Sequence, residues 1–297
     1  MPPRDVARLL LLAGLWGGSF TFMRVAVPAL GPFWLAFLRV TIAFAALFAF
    51  AAIQRSIPPL RVRWRDYLVV GIVNSALPFV LFCFAEQYIS ASSAAILNTT
   101  SPFFGAIVGA LWLKEPLTTR QVAGMSLGLA GVMLLVGWQP EPLTGPILAA
   151  TLACIAAALC YGISSVYAKV RLAAVPSSAV ALYSQLAAGI ALVPVVAVVP
   201  LPAPPNALVA VNVLALALAS TALAYRLYFR LIANVGPARA LTVTFLIPLF
   251  GVLWGAAFLG EALATNTLSG CALILAGTWL ATRARAPRAT AAAPETR

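Results

Sequence analysis

The sequence predicts an all-α polytopic membrane protein, with ten transmembrane helices arranged as two inverted five-helix repeats and both termini in the cytoplasm. Three observations support this fold class. Hydrophobic residues make up 63% of the chain and charged residues only 9%, with a mean hydropathy of +1.00, whereas a soluble domain is about half apolar and a quarter charged. Apolar stretches recur along the chain, and one helical motif occurs twice.

A transmembrane helix needs about 20 consecutive, mainly apolar residues. Ten segments meet this requirement: 8–27, 33–53, 67–88, 92–113, 120–137, 144–168, 178–199, 207–229, 237–259 and 266–283. The first follows Arg4 and Arg8 but continues past Trp16 without a cleavage-like site, so it is predicted to be a retained helix and not a signal peptide. Residues 284–297 are rich in Ala, Pro, Thr and Arg and are predicted to form a disordered cytoplasmic tail.

The net charge of +12 indicates topology and not nucleic-acid binding, because the charges are distributed by loop. In the ten-span arrangement, the Lys and Arg residues of loops and termini lie on one side. The loops on the other side contain neither residue; they lie near 28–32, 89–91, 138–143, 200–206 and 260–265. The positive-inside rule therefore places both termini in the cytoplasm, and the expected location is a bacterial inner membrane.

The helical motif of residues 102–131 returns at residues 248–277, an offset of 146. The matching pairs are Pro102 and Pro248, Gly105 and Gly251, Gly109 and Gly255, Leu113 and Leu259, Glu115 and Glu261, Leu117 and Leu263, Thr119 and Thr265, Gly124 and Gly270, and Gly131 and Gly277. Each repeat holds five predicted spans. Because five is odd, the second repeat enters the membrane from the opposite side. The predicted units are residues 1–140 and 141–283.

A second match extends the repeat, because W-G-x-S at Trp16 to Ser19, followed by Arg24, corresponds to Tyr161 to Ser164, followed by Lys169. Together with the doubled P-x-x-G-x-x-x-G…L-x-E-x-L motif, the chain resembles the EamA-type transporters of the drug/metabolite transporter superfamily, and within it the YddG-type amino-acid exporters. The resemblance implies a basket in which helices 1–4 and 6–9 surround a central cavity, while helices 5 and 10 pack outside.

The function that the repeat and the resemblance imply is secondary transport of small metabolites, with export of amino acids favoured, by alternating access. No cofactor is expected, and the chain has no phosphate-binding G-x-x-x-x-G-K-[ST] motif. With no His and with its four Cys residues inside predicted spans, it is expected to hold no metal. The expected partners are a small-molecule substrate and the lipid bilayer, without nucleic acid, and a monomer is favoured.

Polar and aromatic side chains within the spans are the candidate substrate-binding groups, because a bilayer accepts polar groups only where they face protein or water. The candidates are Trp16, Ser19, Arg39, Phe82, Glu86, Asn98, Tyr161, Ser164, Tyr225, Tyr228 and Thr244. Aromatic walls with a few hydroxyls suit a small amphipathic solute. The alternative interpretation for each aromatic residue is packing in the core or against lipid.

Two charged residues lie well inside predicted spans. Arg39 is about six residues into the second span, where an unpaired charge costs on the order of 2–3 kcal/mol. Glu86 lies at a comparable depth and is the expected partner. Such a pair is either an outer-gate contact or a site for a substrate carboxylate and ammonium; the alternatives are a structural pair or an arginine that extends to the surface. Glu115 and Glu261 are expected to accept hydrogen bonds at the start of the following helix.

Helix breaks and small residues are predicted at matching places in the two repeats. Pro78, Pro102 and Pro248 are candidate hinges, because proline removes a backbone hydrogen bond; the alternative is a static kink. The G-x-x-x-G motifs at Gly105 and Gly109 and at Gly251 and Gly255 are predicted helix-packing seams.

Other functions are less consistent with the sequence. An intramembrane enzyme would need an acid–base or nucleophile arrangement, which the chain does not show. A passive channel would need a continuous polar stripe. Among transported solutes, nucleotide sugars would require several basic groups, whereas organic cations would favour aromatic groups around a carboxylate such as Glu86.

Overall fold

The computed structural model describes residues 2–60, 63–114, 117–137, 144–201, 204–235 and 243–282, and within these ranges all regular structure is helical. The helices are α1 (Pro3–Ile53), α2 (Trp64–Ala85), α3 (Ala91–Trp112), α4 (Thr119–Gly137), α5 (Gly145–Arg171), α6 (Ser177–Val198), α7 (residues 207–235), α8 (Val243–Leu259) and α9 (Thr265–Thr282). The predicted tail and Glu115 lie outside the described residues.

The helices have the length and surface of membrane spans. Six helical segments, in α1, α2, α3, α5, α6 and α7, are long and apolar enough to cross a bilayer, and α8 contributes a shorter apolar helix. Large apolar side chains on several helices point outward, among them Leu129, Leu152, Ile190 and Leu208. A soluble protein would place polar residues at such positions, so these helix faces are suited to contact with lipid.

Helix α1 consists of two antiparallel arms, residues 3–30 and 32–53. Gly31 separates them with φ 69° and ψ 167°, a backbone conformation that glycine adopts without a steric penalty. The guanidinium Nη1 of Arg39 lies 3.4 Å from the Sδ of Met23. In a straight helix these residues would be about 24 Å apart, at 1.5 Å per residue. The arms therefore fold back on each other and correspond to predicted spans 8–27 and 33–53.

Contacts between helix ends define the two ends of the bundle. Asp66, at the start of α2, accepts hydrogen bonds from Tyr167 (2.7 Å) and Arg171 (3.2 Å), at the end of α5. We call this the basic end. The indole of Trp34 donates to the carbonyl of Val199, after the end of α6, at 2.9 Å, and this marks the opposite end. Helix α2 therefore runs from the basic end towards the opposite end, and α5 runs in the reverse direction.

Glycine contacts between the two sequence repeats occur in matched pairs. A Cβ atom added to Gly17 on α1 would lie 2.7 Å from the Cβ of Phe250 on α8. A Cβ atom added to Gly162 on α5 would lie 2.7 Å from the Cβ of Phe104 on α3. Phe104 and Phe250 are 146 residues apart, the offset of the sequence repeat. Each half thus packs a helix on the other half through the same close approach.

The α4–α9 contact shows the same relationship. A Cβ atom on Gly131 would lie 2.9 Å from the carbonyl oxygen of Gly270, and one on Gly277 would lie 2.5 Å from that of Gly124. These four glycines are two pairs separated by 146 residues. Small residues allow two helix backbones to approach closely in a membrane, so α4 and α9 pack mainly against each other.

Candidate functional site

The two ends of the bundle differ in their packing. Towards the opposite end, buried side chains from both halves form one large cluster and a smaller separate cluster around Ala36, Phe79 and Leu192, and at the basic end they form two further separate clusters. The large opposite-end cluster includes Leu30, Ile89, Ala91, Ala150, Val209 and Val252; one basic-end cluster includes Leu47, Tyr67 and Leu182, and the other includes Leu9, Leu12 and Leu231. Among the described residues, the largest continuous cluster therefore lies towards the opposite end, and the packing at the basic end is divided between two smaller clusters.

Helix α3 changes its packing partners along its length. Its first segment, Ala91–Asn98, packs mainly against α8 and also contacts α5 and α1, whereas its second segment, Ser101–Trp112, packs mainly against α5. The interruption lies at Thr99 and Thr100, just before Pro102. Pro102 thus lies at a real break between two differently packed segments. Whether the break acts as a hinge stays a prediction.

The corresponding proline of the second repeat lies in different surroundings. Pro248 is inside α8, which is helical from Val243 to Leu259. In the first repeat, the hydroxyls of Thr99 and Thr100 donate to the carbonyls of Ile96 (2.6 Å) and Leu97 (2.7 Å) and satisfy backbone acceptors near the break. The same motif therefore gives an interrupted helix in one half and a continuous helix in the other.

Four of the predicted aromatic residues, which we call the aromatic junction, lie where the buried clusters meet: Trp16, Tyr161, Tyr225 and Tyr228. All four are partly exposed. Trp16 packs against the opposite-end cluster and one basic-end cluster, and its ring centroid is 5.3 Å from that of Tyr228. Tyr161 packs on the opposite-end cluster and Tyr225 on the second basic-end cluster. The junction therefore lies between the opposite end and the basic end.

Phe82 connects this junction to the opposite end. Its ring stacks on Tyr161 at 6.2 Å between centroids and meets Phe20 edge-on at 5.5 Å. Phe82 is buried, with 2% of its surface exposed. It is the most deeply buried of the predicted aromatic residues, and Tyr161 packs on its ring.

Arg39 is buried and has no carboxylate partner among the described residues. Its Nε donates to the Thr221 hydroxyl on α7 at 3.1 Å, and its guanidinium carbon lies 3.6 Å from the centre of the Phe79 ring. The predicted pairing with Glu86 is wrong, because the described ion pairs do not include it and Arg39 is directed at α7 and Phe79 instead. A cation over an aromatic ring is partly stabilised, but the charge is not neutralised.

The contact between Arg39 and Thr221 has a counterpart between the two residues that the repeat offset of 146 relates to them. Gln185 on α6 corresponds to Arg39, and Ser75 on α2 corresponds to Thr221. The Gln185 amide donates from Nε2 to the Ser75 hydroxyl at 3.0 Å, while its Oε1 is buried without a hydrogen-bond partner. Tyr225 also hydrogen-bonds Ser75. The two contacts are thus repeated in the two halves, with a cation in one and a neutral amide in the other.

Both π-helical segments coincide with these contacts. Ile72–Ala76 in α2 contains Ser75, and Ala215–Leu223 in α7 contains Thr221. A π-helical segment changes the local helix register and is frequent at functional sites. Pro78, a predicted hinge, follows the first of these segments. The two π-helical segments therefore lie at the paired polar contacts, within α2 and α7 and away from the loops.

Glu86 is fully buried at the end of α2, and neither of its carboxylate oxygens has a hydrogen-bond partner. The nearby guanidinium of Arg24 donates to the backbone carbonyl oxygen of Glu86 and not to its carboxylate. Glu86 is therefore a carboxyl group that burial has removed from water without providing a counter-ion contact.

Glu261 caps a helix in the other half of the chain. Its carboxylate accepts hydrogen bonds from the backbone N–H of Ala91 (2.7 Å), the backbone N–H of Ser92 (3.0 Å) and the Ser92 hydroxyl. The prediction that Glu261 caps the following helix is therefore wrong. The N-terminus of α3 has unpaired N–H groups and a positive dipole end, and Glu261 reaches it because α8 crosses α3 closely.

That crossing uses the glycines of the second G-x-x-x-G motif. A Cβ atom on Gly251 would collide with Ala95, and one on Gly255 would collide with Ser92 and Glu261. In the first motif, Gly105 faces the Ser165 hydroxyl on α5, and Gly109 is buried. The second motif thus lies where α8 and α3 approach closely. The first motif lies where α3 approaches α5, since a Cβ atom on Gly162 would lie 2.7 Å from the backbone nitrogen of Gly105.

The remaining candidates have local partners. The Ser19 hydroxyl donates to the carbonyl of Trp16 at 2.7 Å within its own helix. Asn98 Oδ1 accepts from Ser101 at 3.4 Å, beside the α3 break. Ser164 is buried on α5, and Thr244 is partly buried on α8. Their roles in substrate binding stay predictions.

Five residues of this region were not among the candidate substrate-binding residues of the sequence analysis, namely Arg24, Ser75, Phe79, Gln185 and Thr221. One signal was present: adding the repeat offset to Arg39 gives Gln185, and subtracting it from Thr221 gives Ser75. In the part of the chain that the structure describes, no group of three or more His, Cys, Asp or Glu side chains could hold a metal ion.

The comparisons with known proteins agree with this architecture. The chain is 27% identical to a probable amino-acid metabolite efflux pump of Salmonella typhimurium over 301 aligned residues, which cover 94% of the chain and 95% of the relative. It is 33% identical to an uncharacterized transporter of Archaeoglobus fulgidus over 123 residues, but that match covers only 41% of the chain and 42% of that relative.

A solved crystal structure shares the fold, with a TM-score of 0.68 and 22% identity over 95% of the chain and 97% of the solved chain. The model of the EamA-like transporter family matches the sequence twice, over residues 6–137 and 148–283. The chain is therefore a membrane transporter that belongs to the EamA-like transporter family of the drug/metabolite transporter superfamily.

Proposed function

We propose that the protein is a secondary transporter that exports small metabolites, with amino acids as the favoured substrates, from the cytoplasm across a bacterial inner membrane. The family supports transport and not catalysis. The name of the Salmonella typhimurium relative, a probable amino-acid metabolite efflux pump, supports the direction and the substrate class. Other small metabolites and organic cations are the alternative substrates.

The proposed architecture has ten spans in two inverted repeats, residues 1–140 and 141–283, with both termini and the basic end in the cytoplasm. Three findings support it: the family model matches each half separately, the α1 arms provide two spans, and contacts recur at an offset of 146 residues. Five spans per repeat invert the second half. Lys and Arg residues are concentrated at the basic end, as they are in cytoplasmic loops.

The proposed mechanism is alternating access around the aromatic junction. The packing supports a conformation that is closed towards the outside, because the largest buried cluster joins both halves towards the opposite end while the basic end is divided between two smaller clusters. The reverse conformation would separate α3 from α8 at the opposite end. It would bring the corresponding segments together at the basic end, since the two halves are built alike.

The substrate class is inferred from the surroundings of Arg39. An arginine stays charged in proteins, and this one is buried without an acidic partner among the described residues. It lies within electrostatic range of Tyr161 and Tyr225 of the junction. We assign it to the substrate carboxylate, with which a guanidinium forms strong charge-assisted hydrogen bonds. Trp16, Tyr161, Tyr225 and Tyr228 then form the wall around the side chain of the substrate.

The test is counterflow in proteoliposomes without an ion gradient. Purified protein is reconstituted into vesicles preloaded with one unlabelled amino acid, and entry of labelled phenylalanine is measured. A carrier gives saturable entry that depends on the internal amino acid, whereas an open channel gives entry that does not saturate. The measurement is repeated with other labelled amino acids. No entry of any of them, from protein that elutes from a size-exclusion column as one monodisperse species, would refute the amino-acid assignment and direct the search to organic cations.

A further inference from the structure

The side chain of Gln185 on α6 has an unmet hydrogen-bonding requirement inside the bundle. The residue is fully buried, and its Nε2 donates to the Ser75 hydroxyl at 3.0 Å. Its Oε1 has no hydrogen-bond partner among the described residues. A buried amide oxygen without a donor costs free energy, because it has lost its hydrogen bonds to water. A donor supplied by a bound solute would satisfy this oxygen.

Gln185 and Arg39 lie against the same small buried cluster. The members of this cluster are Ala36, Val40, Ala76, Phe79, Ala188 and Leu192. The guanidinium of Arg39 lies over the Phe79 ring. Gln185 is three residues before Ala188, and its partner Ser75 directly precedes Ala76. The two polar side chains therefore reach the same part of the fold from different elements, the second α1 arm and α6.

Close helix contacts fix the position of Gln185. A Cβ atom on Gly71 of α2 would lie 2.6 Å from the carbonyl oxygen of Ser184, the residue before Gln185. A Cβ atom on Gly189 of α6 would lie 3.1 Å from the Cγ2 of Thr41 on the second α1 arm. Small residues allow helices to pack this closely in a membrane. Gln185 is therefore held between α2 and α1, and a binding group is most effective when rigid elements position it.

Tyr225 connects these polar groups to the aromatic junction. It hydrogen-bonds Ser75 and Asn74, and it lies within electrostatic range of Arg39. Tyr225 and Asn74 are partly exposed, whereas Gln185 and Ser75 are fully buried. The Gln185 amide is thus joined through Ser75 to the wall that we assign to the substrate.

We propose that Gln185 Oε1 binds the ammonium group of the transported amino acid while Arg39 binds its carboxylate. A zwitterion carries an acceptor for the guanidinium and a donor for the amide oxygen on one carbon atom. One solute therefore satisfies both groups. Because the amide is neutral, it accepts from the ammonium without neutralising Arg39. This inference rests on the proposed function and adds the residue that distinguishes amino acids from carboxylates that lack an amine.

Calorimetric titration of the purified full-length protein tests the ammonium contact. The two ligands are phenylalanine and 3-phenylpropionate, which has the same ring and carboxylate but no ammonium; leucine and 4-methylpentanoate form a second such pair. The wild type should bind each amino acid at least about tenfold more tightly than its partner, because a hydrogen bond to a charged group is gained. In Gln185→Met most of this preference should disappear, without loss of affinity for the plain carboxylates. The control Ser184→Ala, which removes a hydroxyl bonded within its own helix, should keep the preference.

Thermal unfolding separates this role from a structural one. Methionine is similar in size and leaves no buried acceptor without a donor, so Gln185→Met should unfold at no lower a temperature than the wild type. If Gln185→Met is unstable, Gln185→Glu replaces it in the titration, and its anionic acceptor should increase the preference for the amino acids. A wild-type preference in Gln185→Met, or an unchanged one in Gln185→Glu, would overturn the inference. A wild type that binds amino acids and plain carboxylates equally would overturn it alone, whereas a wild type that binds no amino acid would refute the proposed function as well.

Discussion

The carboxylate of Glu261 accepts hydrogen bonds from both the backbone N–H and the hydroxyl of Ser92, 169 residues earlier in the chain. This contact joins the two halves at the opposite end of the bundle. A side-chain cap at a helix N-terminus stabilises it by about 0.5–2 kcal/mol. The contact therefore stabilises the closed arrangement of α3 and α8, and it must break when these helices separate.

A double-mutant cycle on this contact should show strong coupling. Ser92→Ala, Glu261→Ala and the double variant each lower the free energy of unfolding, and the double variant should lose about 1 kcal/mol less than the sum of the two single losses. Thermal unfolding in detergent measures the cycle. Thr265→Ala serves as the control, because Thr265 begins the helix that follows Glu261. Strictly additive losses for Ser92 and Glu261, with coupling to Thr265 instead, would show that Glu261 caps its own helix.

Alanine at the matched glycines should destabilise the bundle equally in both halves. A Cβ atom at Gly17 or Gly162 meets a phenylalanine Cβ at 2.7 Å, and such overpacking costs about 1–3 kcal/mol. Gly145→Ala is the control, since a Cβ atom there meets nothing within 4 Å. The midpoint of thermal unfolding should fall for Gly17→Ala and Gly162→Ala only. A fall of the same size for Gly145→Ala would show that the effect is one of helix propensity and not of packing.

Membrane topology follows from the two ends of the bundle. Ile57 lies near the basic end and Leu201 follows α6 at the opposite end, and both are exposed. In intact spheroplasts, a membrane-impermeant maleimide should label Leu201→Cys and leave Ile57→Cys unlabelled until the membrane is broken. The wild type, with four native cysteines of which three are buried, sets the background. The reverse pattern would place the basic end outside.

The two repeat prolines should differ in their effect on transport. Pro102 follows the interruption in α3, whereas Pro248 is inside continuous α8. Removal of Pro102 should allow α3 to become a continuous helix and should slow exchange several-fold. Pro248→Ala should slow exchange less, because α8 is already continuous around Pro248. Exchange rates of Pro102→Ala and Pro248→Ala are compared in proteoliposomes at equal protein content. Wild-type rates in both would remove the hinge interpretation.

The sequence predicted the helical architecture, because apolar length and the repeat offset are local properties of the chain. The pairing of Arg39 with Glu86 was predicted wrongly, because similar depth in a membrane does not establish that two side chains face each other. Arg39 is directed at Thr221, and only the three-dimensional crossing of α1 with the π-helical segment of α7 shows this.

The hydrogen-bond partner of the Glu261 carboxylate could not be predicted from the sequence, for the same physical reason. A carboxylate at a helix corner caps the nearest free N-terminus in space, and that N-terminus belongs to α3 and not to the helix that follows. Likewise, the identical motifs around Pro102 and Pro248 predicted one shape in both halves. In the proposed architecture of two inverted halves, the halves differ in shape within any single conformation, so a repeated sequence does not have to give two equal structures.

Counterflow of labelled phenylalanine can show whether Arg39 binds the carboxylate of the substrate, as proposed. Arg39→Gln introduces the side chain that the matching position Gln185 already carries, so the protein should fold. Its phenylalanine exchange should fall at least about tenfold, which corresponds to about 1.4 kcal/mol. The control Arg226→Gln, which removes a cation stacked on Phe50, should exchange normally. In the wild type, unlabelled phenylalanine should compete and phenethylamine, which lacks the carboxylate, should not. Normal exchange by Arg39→Gln, or equal competition by phenethylamine, would contradict the account.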